Sequence, residues 1–268
     1  MPAGSPAGGS VPPLRRGVCQ IWWARPEDVR PEHDALLDDV DLRRRARLLL
    51  AADQRRLTAA VVLARLVLGV HAGCPPARLR IDRGCPRCGA PHGKPRLPGE
   101  PDLHFSVSHS AGCVGVAVRR GAPVGVDVER VVRWKAPELA DVALLTLAAE
   151  ERAVLFGAPT GDRAAAFATY WTRKEAAVKA TGAGLAEPLD EVVVSAPGAP
   201  PRVLRWGDPR AAPTLVDLRP PAGYAGALAL VDGPAEVVEA DAAPLLRAAP
   251  DLPHTSRRLS WATTRSQR

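Results

Sequence analysis

The stretch Gly125-Val126-Asp127-Val128-Glu129 alternates apolar residues with carboxylates, the period of a strand with one buried face. Side chains two apart on a strand share a face, and their Cα atoms lie roughly 6.6 Å apart. Asp127 and Glu129 therefore lean to one side while Val126 and Val128 face a core. Two carboxylates on one face suit a hard cation. Magnesium fits best, because it takes oxygen ligands and keeps waters or substrate phosphates in its shell. A solvated strand face is the ordinary alternative.

A second segment, Trp171-Thr172-Arg173-Lys174-Glu175 through Lys179, sets Glu175 and Lys179 four apart on one helix face. A third carboxylate and a lysine can then reach the same metal-phosphate centre. Taken alone, the pair reads equally as a surface ion pair.

At 268 residues the chain can bury a sizeable core, as one large domain or two halves. Its formal charge of +7 favours an anionic partner, whether nucleic acid, a phosphorylated ligand or an acidic protein. No early segment has the uninterrupted apolar core of a signal peptide. The most apolar stretch, Leu48 to Val70, is broken by Asp53, Arg55, Arg56 and Arg65, so it is not a membrane span. These features predict a soluble, cytoplasmic protein. Five cysteines, an odd count, argue against a disulfide framework. Cys85-Pro-Arg-Cys88 is half of a zinc-ribbon signature, and His92, Cys74 or His71 would have to complete the ligands. A tight loop of reduced thiols is the alternative.

Residues 1–17, rich in Pro, Gly, Ser and Ala, predict a disordered leader. Cys19 to Ala24 predicts the first strand, and Arg56 to Val70 a buried helix ended by Gly73 and Pro75-Pro76. The arginines Arg43, Arg44, Arg45, Arg47, Arg55 and Arg56 form either a solvated face or a phosphate-collecting surface. Gly93-Lys94-Pro95 lets backbone approach an anion and adds a point charge, without the spacing of a P-loop. Leu103 to Val118 predicts two strands around a turn at Gly112, with Ser108-His109-Ser110 where the first strand ends. That pair suits gripping phosphate oxygens better than nucleophilic catalysis, since no third orienting group is evident. Helical patterning returns from Pro137 to Leu155 and from Arg163 to Ala180. Short strands follow at Leu189 to Ser195, Arg202 to Trp206, Thr214 to Leu218 and Tyr224 to Val231. The expected organisation is a leader (1–17), an N-terminal half (18–124), a C-terminal half (125–233) and a poorly patterned, partly disordered tail (234–268).

Taken in order, Gly93-Lys94-Pro95, Phe105-Ser-Val-Ser-His109-Ser110, Gly125-Val-Asp127-Val-Glu129 and Trp171-Thr-Arg-Lys174-Glu175-Ala-Ala-Val-Lys179 resemble the Sfp-type 4'-phosphopantetheinyl transferases. Gly182, Gly184-Leu185 and Pro188-Leu189 continue the likeness, which covers roughly residues 18 to 232. The resemblance implies an α+β fold of two similar, pseudo-twofold-related halves. Each would be a small, mostly antiparallel sheet packed with helices, with coenzyme A between them. It implies transfer of the phosphopantetheine arm to a serine of an apo acyl or peptidyl carrier protein, with Mg2+ as cofactor and adenosine 3',5'-bisphosphate released. Matched residue by residue, Asp127, Glu129 and Glu175 are the magnesium ligands, Glu175 and Lys179 the catalytic groups. Arg44, Arg56, Lys94, Ser108, His109, Lys174 and Lys179 are the coenzyme A contacts. A monomer suffices, since one chain supplies every such residue. Two other readings are a magnesium-dependent hydrolase of coenzyme A or related pyrophosphates, and a basic nucleic-acid-binding protein with a Cys-x-x-Cys metal loop. The carboxylate trio argues against the latter, because carboxylates repel phosphate unless a metal intervenes.

Overall fold

The computed structural model describes residues 11–85, 87–184, 187–207 and 212–248. Strand β1 (Val18–Ala24) is followed by helices α1 (Asp39–Ala46) and α2 (Ala51–Ala72), then strands β2 (Leu103–Ser110), β3 (Cys113–Arg120) and β4 (Val124–Arg130). Helices α3 (Ala136–Thr146), α4 (Ala149–Gly157) and α5 (Arg163–Thr181) lead to β5 (Val193–Val194), β6 (Val203–Arg205), β7 (Thr214–Asp217), β8 (Tyr224–Leu230), β9 (Glu236–Asp241) and α6 (Ala243–Ala248). The strands form sheets in the orders β2-β3-β1-β9 and β4-β8-β7, with β5-β6 as a separate pair. All pairings are antiparallel except β1 with β9. The expected α+β class, with small, mostly antiparallel sheets packed with helices, is the observed one.

The buried side chains divide into three layers. Helix α2 is buried from Leu57 to Gly69 and packs with Trp22, Val114, Val116 and Val118 on one face of the first sheet. Each of its buried leucines stabilises the fold by about 1.5–3 kcal/mol relative to exposure. The helix stops at Gly73, whose φ of 60° is the left-handed conformation a C-cap takes most easily without a Cβ. The other face of that sheet, with Cys19, Ile21 and Ala117, meets Val124, Val126, Val128, Leu228 and Leu230 of the second. Ala227 and Ala229 face the opposite way, toward α5 and its cluster around Phe167, Tyr170, Ala176 and Ala177. The order of layers is therefore α2, first sheet, second sheet, α5.

The alternation at residues 124–129 sets this stacking. Gly125, Asp127 and Glu129 share the face toward α5, and Gly125 is where the helix comes closest. A Cβ there would sit 2.1 Å from Ala176 O and 2.4 Å from Ala180 N, both backbone atoms that cannot swing aside. Gly125→Ala must push α5 off the strand. We expect it to destabilise the fold by about 3 kcal/mol, at the upper end of overpacking effects. It should also disrupt the site that α5 and β4 share. Thermal unfolding checks the first effect; an unchanged midpoint would contradict this packing.

Several expectations are corrected. The patterning from Pro137 to Leu155 is two helices, because Leu147 turns extended (φ −112°, ψ 138°) and buries completely. Glu151 then caps α4 by accepting from Ala148 N at 2.8 Å. The strand expected at Leu189 to Ser195 shrinks to Val193–Val194 after a 3₁₀ turn at Leu189–Glu191. The tail is ordered as far as residue 248: β9 lies parallel to β1, and Glu239 accepts from Trp23 Nε1 at 2.9 Å. Its alternating exposure and its charges, Glu236, Glu239 and Asp241, are those of an edge strand, which weakens any apolar signal. β9 thus returns the chain to the N-terminal sheet, across the expected boundary between halves. Of the expected leader, residues 11–17 are described, and Leu14 is buried in the core beside α2. Residues 1–10 and 249–268, with most of the expected disorder, lie outside the described residues.

Candidate active site

Strands β2 and β4 run side by side in the same direction without a backbone ladder. Ser106, Ser108 and Ser110 stand in for it: their hydroxyls accept from Val126 N at 3.0 Å, Val128 N at 3.3 Å and Arg130 N at 3.1 Å. From Ser106 on, every second residue of β2 is a serine, so this face of the strand stitches the two sheets together. The carboxylates of β4 sit on that seam. Ser108 Oγ donates to Asp127 Oδ1 at 2.7 Å, and Ser110 Oγ donates to Glu129 Oε2 at 2.6 Å.

From α5, Lys179 reaches the same point. Its ammonium lies 2.6 Å from Asp127 Oδ1 and donates to Ser108 Oγ at 3.1 Å. Glu175 lies one turn back on the same helix face. Asp127 is 2 % exposed, and its Oδ2 is buried with no partner. A buried carboxylate oxygen is costly to leave unpaired. Burial first, then the charge of Asp127, pushes the Glu175 carboxyl above its ordinary value. Burial also raises Glu129, helped by Asp127 and Glu175 and opposed by the Ser110 hydroxyl and Lys179. Three carboxylates thus share this seam with the ammonium of Lys179, and Asp127 Oδ2 is buried without a partner. That donor set fits a hard divalent cation. The trio's oxygens do not all approach within 4.8 Å of one another; among the described residues only Cys85, Cys88 and His92 converge so closely.

The raised carboxyls set a sign for stability. Between the ordinary Glu value of 4.5 and the raised one, the folded chain binds protons more tightly than the unfolded chain. Stability from these groups therefore falls as pH rises through that window. A cation at the site opposes the loss. We expect added divalent cation to raise the unfolding midpoint more at neutral pH than at pH about 4.5, measured by calorimetry. A gain of equal size at both pH values would contradict the assignment.

The remaining site residues divide. His109 points away from the serine face of β2 and is exposed. Loss of hydration, then the charges of Arg56, Lys179 and Arg44, lowers its proton affinity. The charges of Arg56, Lys179 and Arg44 thus act on His109. Arg56 is fixed, donating from Nε to Ala111 O at 2.8 Å and pairing with Asp53 at 2.9 Å. Arg44 is tethered loosely to buried Asp41 at 3.7 Å. Ser108 differs from expectation. Its one proton goes to Asp127 and its lone pairs to Lys179 and Val128 N, so the hydroxyl holds the acid in place and has no capacity left for a phosphate. Lys94 donates to Val124 O at 3.2 Å and Ala180 O at 2.5 Å, tying the start of β4 to the end of α5. Burial lowers its pKa to about 8.

Lys174 is a correction. It is fully buried, pairs with Glu151 at 2.5 Å, and donates to Thr146 O and Leu189 O, both at 2.9 Å. Successive helix residues are about 100° apart, so the neighbour of Glu175 faces α4 rather than the seam. Arg173, unflagged by the sequence, is likewise fully buried and clamps Asp217 at 2.8 and 2.6 Å while donating to Ser195 O and Ala199 O. Ser110, holding Glu129, stood in the sequence only as the last residue of the Ser108-His109-Ser110 strand end. Within this one motif, Arg173 and Lys174 anchor the helix while Glu175 and Lys179 face the seam.

The chain is also similar to known proteins. Residues 123–229, from β4 through nearly all of β8, match the 4'-phosphopantetheinyl transferase superfamily. The L-aminoadipate-semialdehyde dehydrogenase-phosphopantetheinyl transferase of Eremothecium gossypii is 39% identical over 170 residues, covering 58% of this chain and 59% of that one. The 4'-phosphopantetheinyl transferase HetI of Nostoc sp. is 30% identical over 174 residues, covering 64% of this chain and 70% of that one. The 4'-phosphopantetheinyl transferase Sfp of Bacillus subtilis is 31% identical over 103 residues, 38% of this chain and 44% of that protein. The chain thus spans between 44% and 70% of the length of these relatives.

Proposed function

The chain belongs to the 4'-phosphopantetheinyl transferase superfamily, and on that premise we propose that it transfers the 4'-phosphopantetheine arm of coenzyme A to a serine of an apo acyl or peptidyl carrier protein. The observation that carries the reading is the seam itself: Glu129 and Glu175 beside buried Asp127, with the basic groups His109, Arg44, Arg56 and Lys179 near them. Carboxylates collect a cation and the basic groups collect phosphates, which is the pairing a pyrophosphate-containing substrate requires.

In this reading Asp127, Glu129 and Glu175 hold a magnesium ion. When bound, that ion supplies Lewis-acid stabilisation and a template for the pyrophosphate. Arg44, Arg56 and His109 take the phosphates of the nucleotide half, and Lys179 neutralises charge at the pyrophosphate. The carrier serine Oγ forms a bond to the β-phosphorus, the pyrophosphate P–O bond breaks, and adenosine 3',5'-bisphosphate leaves with the electron pair. Such transfer needs positioning and charge neutralisation more than covalent help. Glu175 accepts the serine proton. Its raised affinity for protons, caused by burial and Asp127, moves it toward the range where a general base is most effective.

The test is the dependence of product release on carrier. Adenosine 3',5'-bisphosphate should appear only when coenzyme A, divalent cation and apo carrier are all present. Its release from coenzyme A without carrier would favour the hydrolase, with water in place of the serine.

A further inference from the structure

The loop from residue 82 to residue 96 is closed at its base and shaped inside. Asp82 and Arg96 exchange backbone hydrogen bonds at 2.9 and 2.8 Å, and Gly93 N donates to Arg83 O at 2.8 Å. The two arms approach so closely that a Cβ on Gly93 would lie 2.6 Å from Gly84 O. At the tip, Gly89 N donates to Cys85 O at 2.7 Å, and Gly89 takes a left-handed φ of 72°. A Cys-x-x-Cys turn of this form aims amide dipoles at the first thiolate and turns both sulfurs to one side. His92 completes the grouping, with Nε2 3.0 Å from Cys88 Sγ. The ligand atoms of Cys85, Cys88 and His92 all lie within 4.8 Å of one another.

We propose that Cys85, Cys88 and His92 bind one zinc ion, separate from the carboxylate site, with the fourth position left to a water or an added thiol. Two thiolates and an imidazole are a soft donor set that selects zinc over magnesium. Three protein ligands leave one corner of a tetrahedron open. The other sequence candidates are committed elsewhere: Cys74 Sγ contacts Pro75 O, and His71 Nε2 lies 3.1 Å from Gln20 Oε1. Binding releases the thiol protons to solvent. The consequence reaches the transferase site through Lys94, two residues beyond His92. Its ammonium ties Val124 O to Ala180 O, the elements that carry Asp127 and Glu175. Zinc fixes the loop that delivers this tie, as a structural clamp on the seam.

The test is metal content of the full chain, purified under reducing conditions from zinc-supplemented medium. Elemental analysis should give about one zinc per chain. Cys88→Ser should lose it, and Cys74→Ser should keep it. Cobalt(II) exchanged into the protein should show thiolate-to-metal charge-transfer absorption that Cys88→Ser abolishes. Chelation should lower the unfolding midpoint of the wild type but not of Cys88→Ser. Zinc retained in Cys88→Ser, absence of the thiolate band, or isolation with Cys85 and Cys88 joined as a disulfide would overturn the site. These readouts are independent of carrier modification, so their failure leaves the transferase reading untouched.

Discussion

Glu175→Gln lowers carrier modification about 10²–10⁴-fold, the usual contribution of a general base, while coenzyme A binding stays near wild type. Gln keeps the shape of the side chain, Asp127 and Glu129 remain to hold the cation, and Arg44, Arg56 and His109 still take the phosphates of the nucleotide half. Burial and the charge of Asp127 already disfavour ionised Glu175, so neutralising it should not lower the unfolding midpoint. The pH profile adds a signature that a structural role would not give. Wild-type turnover should fall as pH drops through the raised Glu175 range, and Glu175→Gln should lose that limb. Single-turnover kinetics with a titrated coenzyme A affinity separates the effects. Unchanged turnover removes Glu175 from the chemistry; a parallel loss of coenzyme A binding makes it a binding residue instead.

Lys174→Met should act on stability and not on coenzyme A. Removing one partner of a buried ion pair destabilises by about 3–5 kcal/mol, because the other charge stays behind. Here the stranded group is Glu151, 2 % exposed, which keeps only the Ala148 and Val194 amides, both at 2.8 Å. Thr146 O and Leu189 O lose their donor as well. Denaturant unfolding measures the loss. The double variant Lys174→Met/Glu151→Leu should recover part of it, since both charges are then gone. A stable Lys174→Met with weakened coenzyme A binding would restore the lysine to the phosphate site.

This contrast marks where the sequence was informative. Period-two alternation at 124–129 placed Asp127 and Glu129 on one face, and period 3.6 placed Glu175 with Lys179, because each rule concerns a single element. Which way Lys174 turned depended on Glu151 of α4, which also holds Val194 of β5. No local pattern contains that. Ser108 resembled a phosphate contact because serine at a strand end often is one; its hydroxyl turned out to be saturated by a neighbouring strand and helix. Helix α2 was legible from its continuous apolar run, although buried Arg65 needed Asp38, Asp41 and two carbonyls from distant segments to be tolerated. The edge strand β9 was hidden by its own charges.

The most direct test of the account is the intact mass of an apo carrier protein after incubation with this protein, coenzyme A and magnesium. Controls omit magnesium, or replace the carrier's acceptor serine with alanine. The account predicts a magnesium-dependent gain of one phosphopantetheine arm, absent from the serine-less carrier and abolished by Asp127→Asn. No gain on acyl or peptidyl carriers, with coenzyme A and cation both bound, would contradict it.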